Sequence, residues 1–440
     1  MENNYHNHID QNFDFPQEGF EVIDNQLWFY GIDLVALIEK YGTPLKLTYL
    51  PKISDQITKA RSIFAKAFKK HNYDASYSYC YCTKSSHFSY VLKEVLKNEV
   101  NLETSSAFDI HLIRKLIEQG RISKETVLVH NGYKRQLYAE MVAQLINDGF
   151  NSLLVLDNLK ELEHFRPMVN RECNIGIRIA TGEEPRSNYY TARLGIRHRH
   201  IQDYYTNVLQ HEKKFNLKML HFFIDSGIED SLYYWNELQK CLTVYSDLKK
   251  ECPTLDSLNI GGGFPVKHSL GDEFDYQFLA DEIIAQIKEH CEEQGVPVPN
   301  IYTEFGSYTV AESGAAIYSV VDQKRQNDVE LWNMIDSSFI TTLPDILAIN
   351  QKFILLSINK WDSPVERVNL GGLTCDSQDY YDDEAHVNFI YLPTYKEDEP
   401  SYIGFFNTGA YQNALGGYGG IQHCLIPSPK QVLITKEENG

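Results

Sequence analysis

No stretch of the sequence stays apolar over the roughly 18 to 20 residues that a membrane-spanning helix needs. Residues 1–15 are polar and lack a basic segment followed by an apolar one, so we expect no secretory signal. Cysteine is scarce, with eight residues spread over 440. Several of these cysteines lie inside apolar runs, which predicts reduced thiols and a cytoplasmic protein rather than a disulfide framework.

The sequence also has fewer positive than negative charges and shows no metal-binding pattern. The formal net charge of −19 argues against nucleic acid or an anionic membrane as a partner. It is compatible with a cationic metabolite, although most acidic proteins are acidic for other reasons. Cys80 and Cys82 are not accompanied by a second cysteine or histidine pair at ligand spacing, so no metal site is predicted.

Strand-like and helical patterns alternate through the middle of the chain. Helical patterns separate most of the strand candidates, and this order predicts parallel strands joined by right-handed crossovers. Eight such units over this length are typical of a (β/α)8 TIM-like barrel. The eight candidates are Asp74–Cys82, Val100–Ser105, Thr126–Gly132, Ser152–Asp157, Asn174–Ala180, Lys218–Gly227, Ser257–Gly263 and Asn300–Gly306.

The alternation stops after Gly306 and strand-like runs follow one another. This pattern predicts a C-terminal β-rich domain, a sandwich or barrel. We therefore expect residues 53–313 to form the barrel, residues 314–440 the β domain, and residues 1–52 a segment that contributes to it. The runs are Ile317–Val321, Phe353–Ile358, Arg367–Leu370, His386–Leu392, Tyr402–Phe406 and Gln431–Ile434.

Lys84 follows the first predicted barrel strand. Between Ser76 and Cys82 the residues alternate strictly, with tyrosines on one face and small residues on the other. Lysine at the carboxyl end of a barrel strand stands where such barrels place their chemistry. Taken alone, the stretch fits a solvated loop lysine better, and only the rest of the chain can favour a chemical role.

Two further features follow the last predicted barrel strands. Gly261-Gly262-Gly263 comes after the seventh strand, where glycines let backbone N–H groups approach an anion, or simply form a tight turn. Glu304 ends the eighth strand. A carboxylate at this rim needs a cationic partner, which could be a ligand or a neighbouring side chain.

The β-rich part carries two weaker motifs. Cys375-Asp376 places a thiol beside a carboxylate, a pair able to transfer a proton and to bind a cation. Gly409-Ala410-Tyr411 supplies a phenol next to two small residues. Each motif is commonplace by itself, but their order after Lys84, the glycines and Glu304 is distinctive.

This order resembles the pyridoxal-phosphate-dependent decarboxylases of the alanine-racemase-like fold (fold type III), which act on ornithine, diaminopimelate or arginine. The resemblance extends from about residue 45 onward and is closest to biosynthetic arginine decarboxylases. The matching stretches are Leu102–Ser106, Asn131–Lys134, Phe339–Phe353, Leu373–Ser377 and Gly409–Gln412.

The resemblance implies a role for each residue of the pattern. Lys84 would hold pyridoxal 5'-phosphate covalently, and Glu304 would face the pyridine nitrogen and keep it protonated. Cys375 would return a proton to the α-carbon after decarboxylation. Asp376 would bind the distal cation of a small cationic amino acid. The remaining cofactor contacts would be Glu103, Arg178, Phe223, Ser226, Gly262, Gly263, Gly306, Ser307 and Tyr411.

Three positions depart from the family pattern. Phe223 stands where relatives have a histidine stacked on the cofactor ring, and Asp225 stands where they have glycine. Ser307 replaces their phosphate-binding arginine. Loss of a bidentate arginine should weaken phosphate binding by a few kcal/mol unless another group replaces it.

The function that the resemblance implies is decarboxylation of L-arginine to agmatine and carbon dioxide, a step of polyamine biosynthesis. Decarboxylation of ornithine, lysine or a related cationic amino acid is the alternative within the same class. A catalytically inactive homologue that binds a partner is the alternative of another class. In the family the active sites are shared between subunits, which implies a homodimer as the smallest active unit.

Overall fold

Eight parallel strands close into a ring in the computed structural model, which describes residues 4–182, 192–382, 389–417 and 419–436. Each strand pairs with the next in parallel register, and the eighth pairs with the first. The predicted (β/α)8 barrel is therefore confirmed. The strands are Tyr77–Cys82, Asn101–Thr104, Leu128–His130, Ser152–Leu156, Cys173–Ala180, Phe215–His221, Ser257–Asn259 and Asn300–Phe305.

Helices follow most of these strands. The strands are buried on both faces, as in Ser152–Leu156, where every residue is buried, so their sequences are apolar runs. The helices bury only one face. They are Pro51–His71, Ser89–Val95, Ala107–Glu118, Gln136–Asn147, Glu161–Phe165, His198–Asn207, Leu232–Glu251, Tyr276–Gln294 and Ser307–Val310. Short 3-10 turns span Thr83–Ser85, Leu96–Asn98 and Leu209–His211, and Ile196–Arg197 adds a short strand beside the fifth.

The helix Ala107–Glu118 shows how local sequence sets these elements. Ser106 accepts a hydrogen bond from Asp109 N, and the Asp109 carboxylate accepts one from Ser106 N, which forms a capping box. Its buried residues recur every three positions from Ala107 to Leu116, so one face packs inward.

The chain divides into two compact units. Ser54–Pro265 and Phe274–Thr309 form one, here called the barrel unit. Met1–Ile53, Val266–Glu273 and Val310–Gly440 form the other, here called the β unit.

The β unit is built on an eight-stranded sheet, which confirms the predicted β-rich region. Its central strand, Gly314–Arg325, pairs antiparallel with three neighbours. The strands are Leu45–Tyr49, Gly314–Arg325, Leu331–Ile335, Ile354–Ser357, Asn369–Gly371, Tyr380–Tyr381, Ser401–Phe406 and Lys430–Ile434. Residues 386–388 of the predicted strand His386–Leu392 lie outside the described residues, and the observed strand there is Tyr391–Pro393.

Smaller elements complete the β unit. Phe20–Ile23, Gln26–Phe29 and Ile32–Asp33 form a three-stranded meander, and Val365–Arg367 pairs with Tyr391–Pro393. Its helices are Tyr5–Asn12, Leu34–Tyr41, Phe339–Thr342 and Asp345–Ile349, with short 3-10 turns at Ala311–Ser313 and His423–Leu425. One apolar core, which includes the fully buried Trp361, Phe405 and Phe406, unites these elements. In the described parts of both units, no helix is long and apolar enough to cross a bilayer.

Candidate active site

Lys84 lies on the 3-10 turn Thr83–Ser85, directly after the first barrel strand. The turn is fixed at both sides, because Thr83 Oγ1 donates to the carbonyl of Glu103 at 3.1 Å and Ser85 Oγ donates to the carbonyl of Cys82 at 2.9 Å. The Lys84 side chain is 46% exposed. The amine therefore stands at the carboxyl-terminal rim of the barrel, on a rigid turn that ligands can reach.

Glu103 lies beside the lysine and is completely buried. Its Oε2 is 3.9 Å from Lys84 Nζ, and neither carboxylate oxygen has a hydrogen-bond partner of ordinary geometry among the described residues, although the Cys82 thiol is a neighbour. Burial raises the pKa of Glu103, and the positive charge of Lys84 opposes that rise. A buried carboxyl group without such a partner has unused capacity to hydrogen-bond a polar ligand.

Glu304 is held by two asparagine side chains. Asn131 Nδ2 donates to both carboxylate oxygens, at 2.9 and 3.0 Å, and Asn259 Nδ2 donates to Oε1 at 2.6 Å. All three residues are buried and stand at the carboxyl ends of barrel strands. Neither asparagine is among the site residues that the sequence predicts. The sequence signal that could have identified them is an asparagine at the end of a predicted strand with a glycine one or two residues later.

His221 also approaches this carboxylate, with Nε2 3.8 Å from Glu304 Oε2. Burial, reinforced by the charge of Arg178, lowers the pKa of His221 to about 3. The imidazole is therefore neutral near pH 7, and the contact with Glu304 is not an ion pair.

Phe223 lies near two cationic side chains. Lys84 Nζ is 6.0 Å from the centre of its ring, and the Arg178 guanidinium carbon is 5.8 Å from it. Both distances are within the range of cation–π attraction. The ring is half-buried, so part of its surface remains accessible at the rim. Lys84, Glu103, Arg178, Phe223 and Glu304 thus converge on one end of the barrel.

The glycine loop packs backbone against backbone. A Cβ on Gly262 would lie only 2.2 Å from the carbonyl oxygen of Glu304, and one on Gly263 would lie 2.6 Å from Gly227 Cα. Gly263 also has a φ of +104°, which L side chains rarely adopt. These glycines bring the loop after the seventh strand against the turn that carries Ser226.

Two other predicted phosphate contacts follow the eighth strand. Gly306 faces the turn of Lys84, since a Cβ there would be 3.0 Å from Ser85 Cβ. Ser307 begins the four-residue helix Ser307–Val310. The predicted phosphate residues Ser226, Gly262, Gly263, Gly306 and Ser307 therefore belong to three loops of the same rim.

Cys375, Asp376 and Tyr411 belong to the β unit. The loop of Cys375 is anchored by the buried Asp379, whose Oδ2 accepts from Thr374 N at 3.1 Å and from Thr374 Oγ1 at 2.6 Å. Cys375 itself is exposed, and Asp376 is 39% exposed. Tyr411 has a φ of +63° and is half-buried.

Comparison with known proteins identifies the family. The model described as pyridoxal-dependent decarboxylase, pyridoxal binding domain, matches residues 54–311, which is more than half of the chain. The chain belongs to the pyridoxal-dependent decarboxylases.

Relatives of this decarboxylase match most of its length at low identity. A biosynthetic arginine decarboxylase of Citrifermentans bemidjiense is 23% identical, over 92% of this chain and 82% of that protein. The crystal structure of the biosynthetic arginine decarboxylase of Campylobacter jejuni superposes with a TM-score of 0.80 at 19% identity, covering 96% of this chain and 86% of that one. Diaminopimelate decarboxylase of M. jannaschii gives 0.79 at 19% identity, with coverages of 95% and 93%.

The rim of this decarboxylase suits pyridoxal phosphate. Lys84 supplies an accessible amine, Glu304 a fixed carboxylate, and Glu103 a buried carboxyl group without a hydrogen-bond partner of ordinary geometry among the described residues. A cofactor with an aldehyde, a basic ring nitrogen and polar ring substituents matches these three groups.

Proposed function

We propose that the protein decarboxylates L-arginine to agmatine and carbon dioxide. The observation that supports this proposal most is that an accessible Lys84 and a buried Glu304 lie at the same rim of the barrel, with Glu304 held by the side-chain amides of two asparagines. An amine that can bind an aldehyde and a carboxylate that can face a ring nitrogen are the two groups that this chemistry requires.

Each residue has a defined task in this proposal. Lys84 holds the cofactor, and Glu304, oriented by Asn131 and Asn259, keeps the proton on the pyridine nitrogen. Phe223 packs on the ring face. When bound, pyridoxal phosphate supplies the electron sink for the electron pair left by departing carbon dioxide. Cys375 then donates the proton that the α-carbon needs.

The choice of arginine depends on Asp376 and on the relatives. Curated relatives over most of the chain carry the name biosynthetic arginine decarboxylase. Asp376 has a partly exposed carboxylate, which can receive a guanidinium through two parallel hydrogen bonds. Diaminopimelate decarboxylases, by resemblance, have glutamate at this position.

We further propose a homodimer as the active form, in a reducing cytoplasm. By resemblance to the family, Cys375 and Asp376 serve the active site of the partner subunit. All eight cysteines are free thiols, which agrees with a reducing compartment. Mixing a Lys84→Ala subunit with a Cys375→Ala subunit tests the sharing, because mixed dimers should regain one intact site and about a quarter of the wild-type activity. No recovery after subunit exchange would contradict it.

A side-by-side assay tests the substrate. The purified chain, supplied with pyridoxal phosphate, is incubated with arginine, ornithine, lysine or diaminopimelate, and carbon dioxide release is measured. We expect release from arginine and formation of agmatine. Release from ornithine or lysine alone would contradict the arginine assignment. No release from any of them by a chain that retains the cofactor would favour the inactive binding homologue.

A further inference from the structure

Three potential metal ligands lie close together in the β unit, although their spacing in the sequence matches no common metal-binding motif. Cys375 Sγ and Cys424 Sγ are 3.5 Å apart although 49 residues separate them in the chain. A ring nitrogen of His423 completes the cluster, and the three ligand atoms all lie within 4.8 Å of one another. Both cysteines are exposed, so an ion can reach them from solvent.

The backbone at Cys424 and the ring of His423 provide two further observations about this cluster. Cys424 and Leu425 have φ values of +53° and +54°, a left-handed conformation that is uncommon for residues other than glycine. This conformation accompanies the approach of Cys424 to Cys375. His423 Nε2 is buried and has no hydrogen-bond partner among the described residues, with Asp376 Oδ2 3.8 Å away.

The ligand set defines the class of ion. Two thiolates and one imidazole suit Zn²⁺ and similar soft divalent ions, whereas Mg²⁺ and Ca²⁺ prefer oxygen ligands. At ordinary Zn–S and Zn–N bond lengths, tetrahedral ligand atoms are about 3.3–3.8 Å apart. For two sulfur ligands the separation is at the upper end, about 3.8 Å, so the observed sulfur–sulfur distance of 3.5 Å is close to it but slightly shorter, and the histidine ligand atom lies within 4.8 Å of both sulfurs.

We propose that Cys375, His423 and Cys424 form a binding site for Zn²⁺ or a chemically similar divalent ion. Binding displaces the two thiol protons to solvent and leaves a fourth position for water. The nearby Asp376 carboxylate adds negative charge that attracts the ion. Because Cys375 is the proton donor in the proposed function, an occupied site would inhibit decarboxylation; this consequence alone depends on that function.

Metal titration tests the site directly. The full-length chain, loaded with pyridoxal phosphate and reduced with a phosphine, is titrated with Zn²⁺ against a chromophoric chelator, and with Co²⁺ while the visible d–d bands are recorded. We expect one ion per chain and the intense bands of tetrahedral cobalt. Cys424→Ser and His423→Ala should each weaken Zn²⁺ binding by at least about tenfold, since even residues that only orient ligands have effects of that size.

Matched variants separate the site from other metal binding. Cys424→Ser retains the cofactor, which itself binds divalent ions, so this variant measures the background binding of Zn²⁺. His200→Ala, which removes an exposed histidine of the barrel unit, should bind Zn²⁺ as wild type does. Equal Zn²⁺ affinity in wild type and Cys424→Ser, or no binding after reduction of a Cys375–Cys424 disulfide, would overturn the proposal. Zn²⁺ bound as expected by a chain that decarboxylates nothing even when it is metal-free would support the site and contradict only the proposed function.

Discussion

Asn131 binds both carboxylate oxygens of Glu304 through one side-chain amide, at 2.9 and 3.0 Å. The two residues come from the third and eighth barrel strands, which are not neighbours in the ring, so the bond crosses the barrel interior. Asn259 adds a third contact. A buried carboxylate with these donors is fixed in place before any ligand arrives.

Replacing Asn131 with leucine should reduce kcat for decarboxylation by about 10- to 100-fold, because hydrogen bonds to a charged group contribute about 1.5–3 kcal/mol. Asn131 is a positioning residue, so KM for arginine should change much less than kcat. Asn151→Ala, at the opposite end of a barrel strand, is the matched control and should retain wild-type kinetics. Equal kcat in Asn131→Leu and wild type would show that Glu304 does not need this support.

Phe223 should contribute to cofactor retention. Phe223→Ala removes the ring that lies near Lys84 and Arg178, and we expect about a five- to tenfold loss of pyridoxal phosphate affinity, the effect of an aromatic contact of about 1 kcal/mol. Phe223→His, which introduces the family residue, should bind the cofactor at least as tightly as wild type. Equilibrium dialysis measures both. Phe108→Ala, an exposed aromatic, is the control, and a Phe223→Ala chain that matches it would contradict the assignment.

Asp379 should stabilise the loop that carries Cys375. Its carboxylate accepts hydrogen bonds from Phe339 N at 2.8 Å and from Thr374 N and Oγ1. Asp379→Ala would leave these donors unsatisfied, and we expect the free energy of unfolding to fall by about 3 kcal/mol or more. Asp379→Asn, which keeps one acceptor oxygen, should lose less. Urea unfolding measures both, with the exposed Asp328→Ala as control; equal stability of the Asp379→Ala and Asp328→Ala chains would contradict this role.

Acid should destabilise the barrel unit through buried histidine. Burial, with a smaller effect of Lys134, lowers the pKa of His130 to about 3, whereas an unfolded histidine titrates near 6.5. Between these values the unfolded chain binds a proton that the folded chain does not, so the free energy of unfolding falls as pH falls through that window. His130→Gln should flatten this slope in urea unfolding between about pH 7 and 5. An unchanged slope, with the exposed His200→Gln as reference, would rule out His130 as a source.

The barrel could be predicted from the sequence because its strands are buried on both faces. Ser152–Leu156, for example, differs from its predicted range by one residue. Lys84 and Glu304 were also identifiable, since single polar residues at strand ends stand out against apolar runs. Their roles came from the resemblance to a family and not from the pattern itself.

The contacts that complete the site depend on closure of the ring and were not predictable. Asn131 and Asn259 contact Glu304 only once strands that are distant in sequence face one another in the closed ring. Val266–Glu273 belongs to the β unit although it lies between barrel elements in sequence. Cys424 approaches Cys375 through a left-handed turn that no local composition signals.

Attachment of the cofactor to Lys84 is the central claim, and its chemical consequence can be measured directly. The chain is incubated with pyridoxal phosphate, reduced with borohydride to make the covalent link permanent, digested, and mapped by mass spectrometry. We expect the pyridoxyl group on Lys84, absence of the adduct in Lys84→Ala and Lys84→Arg, and loss of decarboxylation in both variants by at least about a thousandfold. A pyridoxyl group on another lysine, or full activity in Lys84→Arg, would contradict the account.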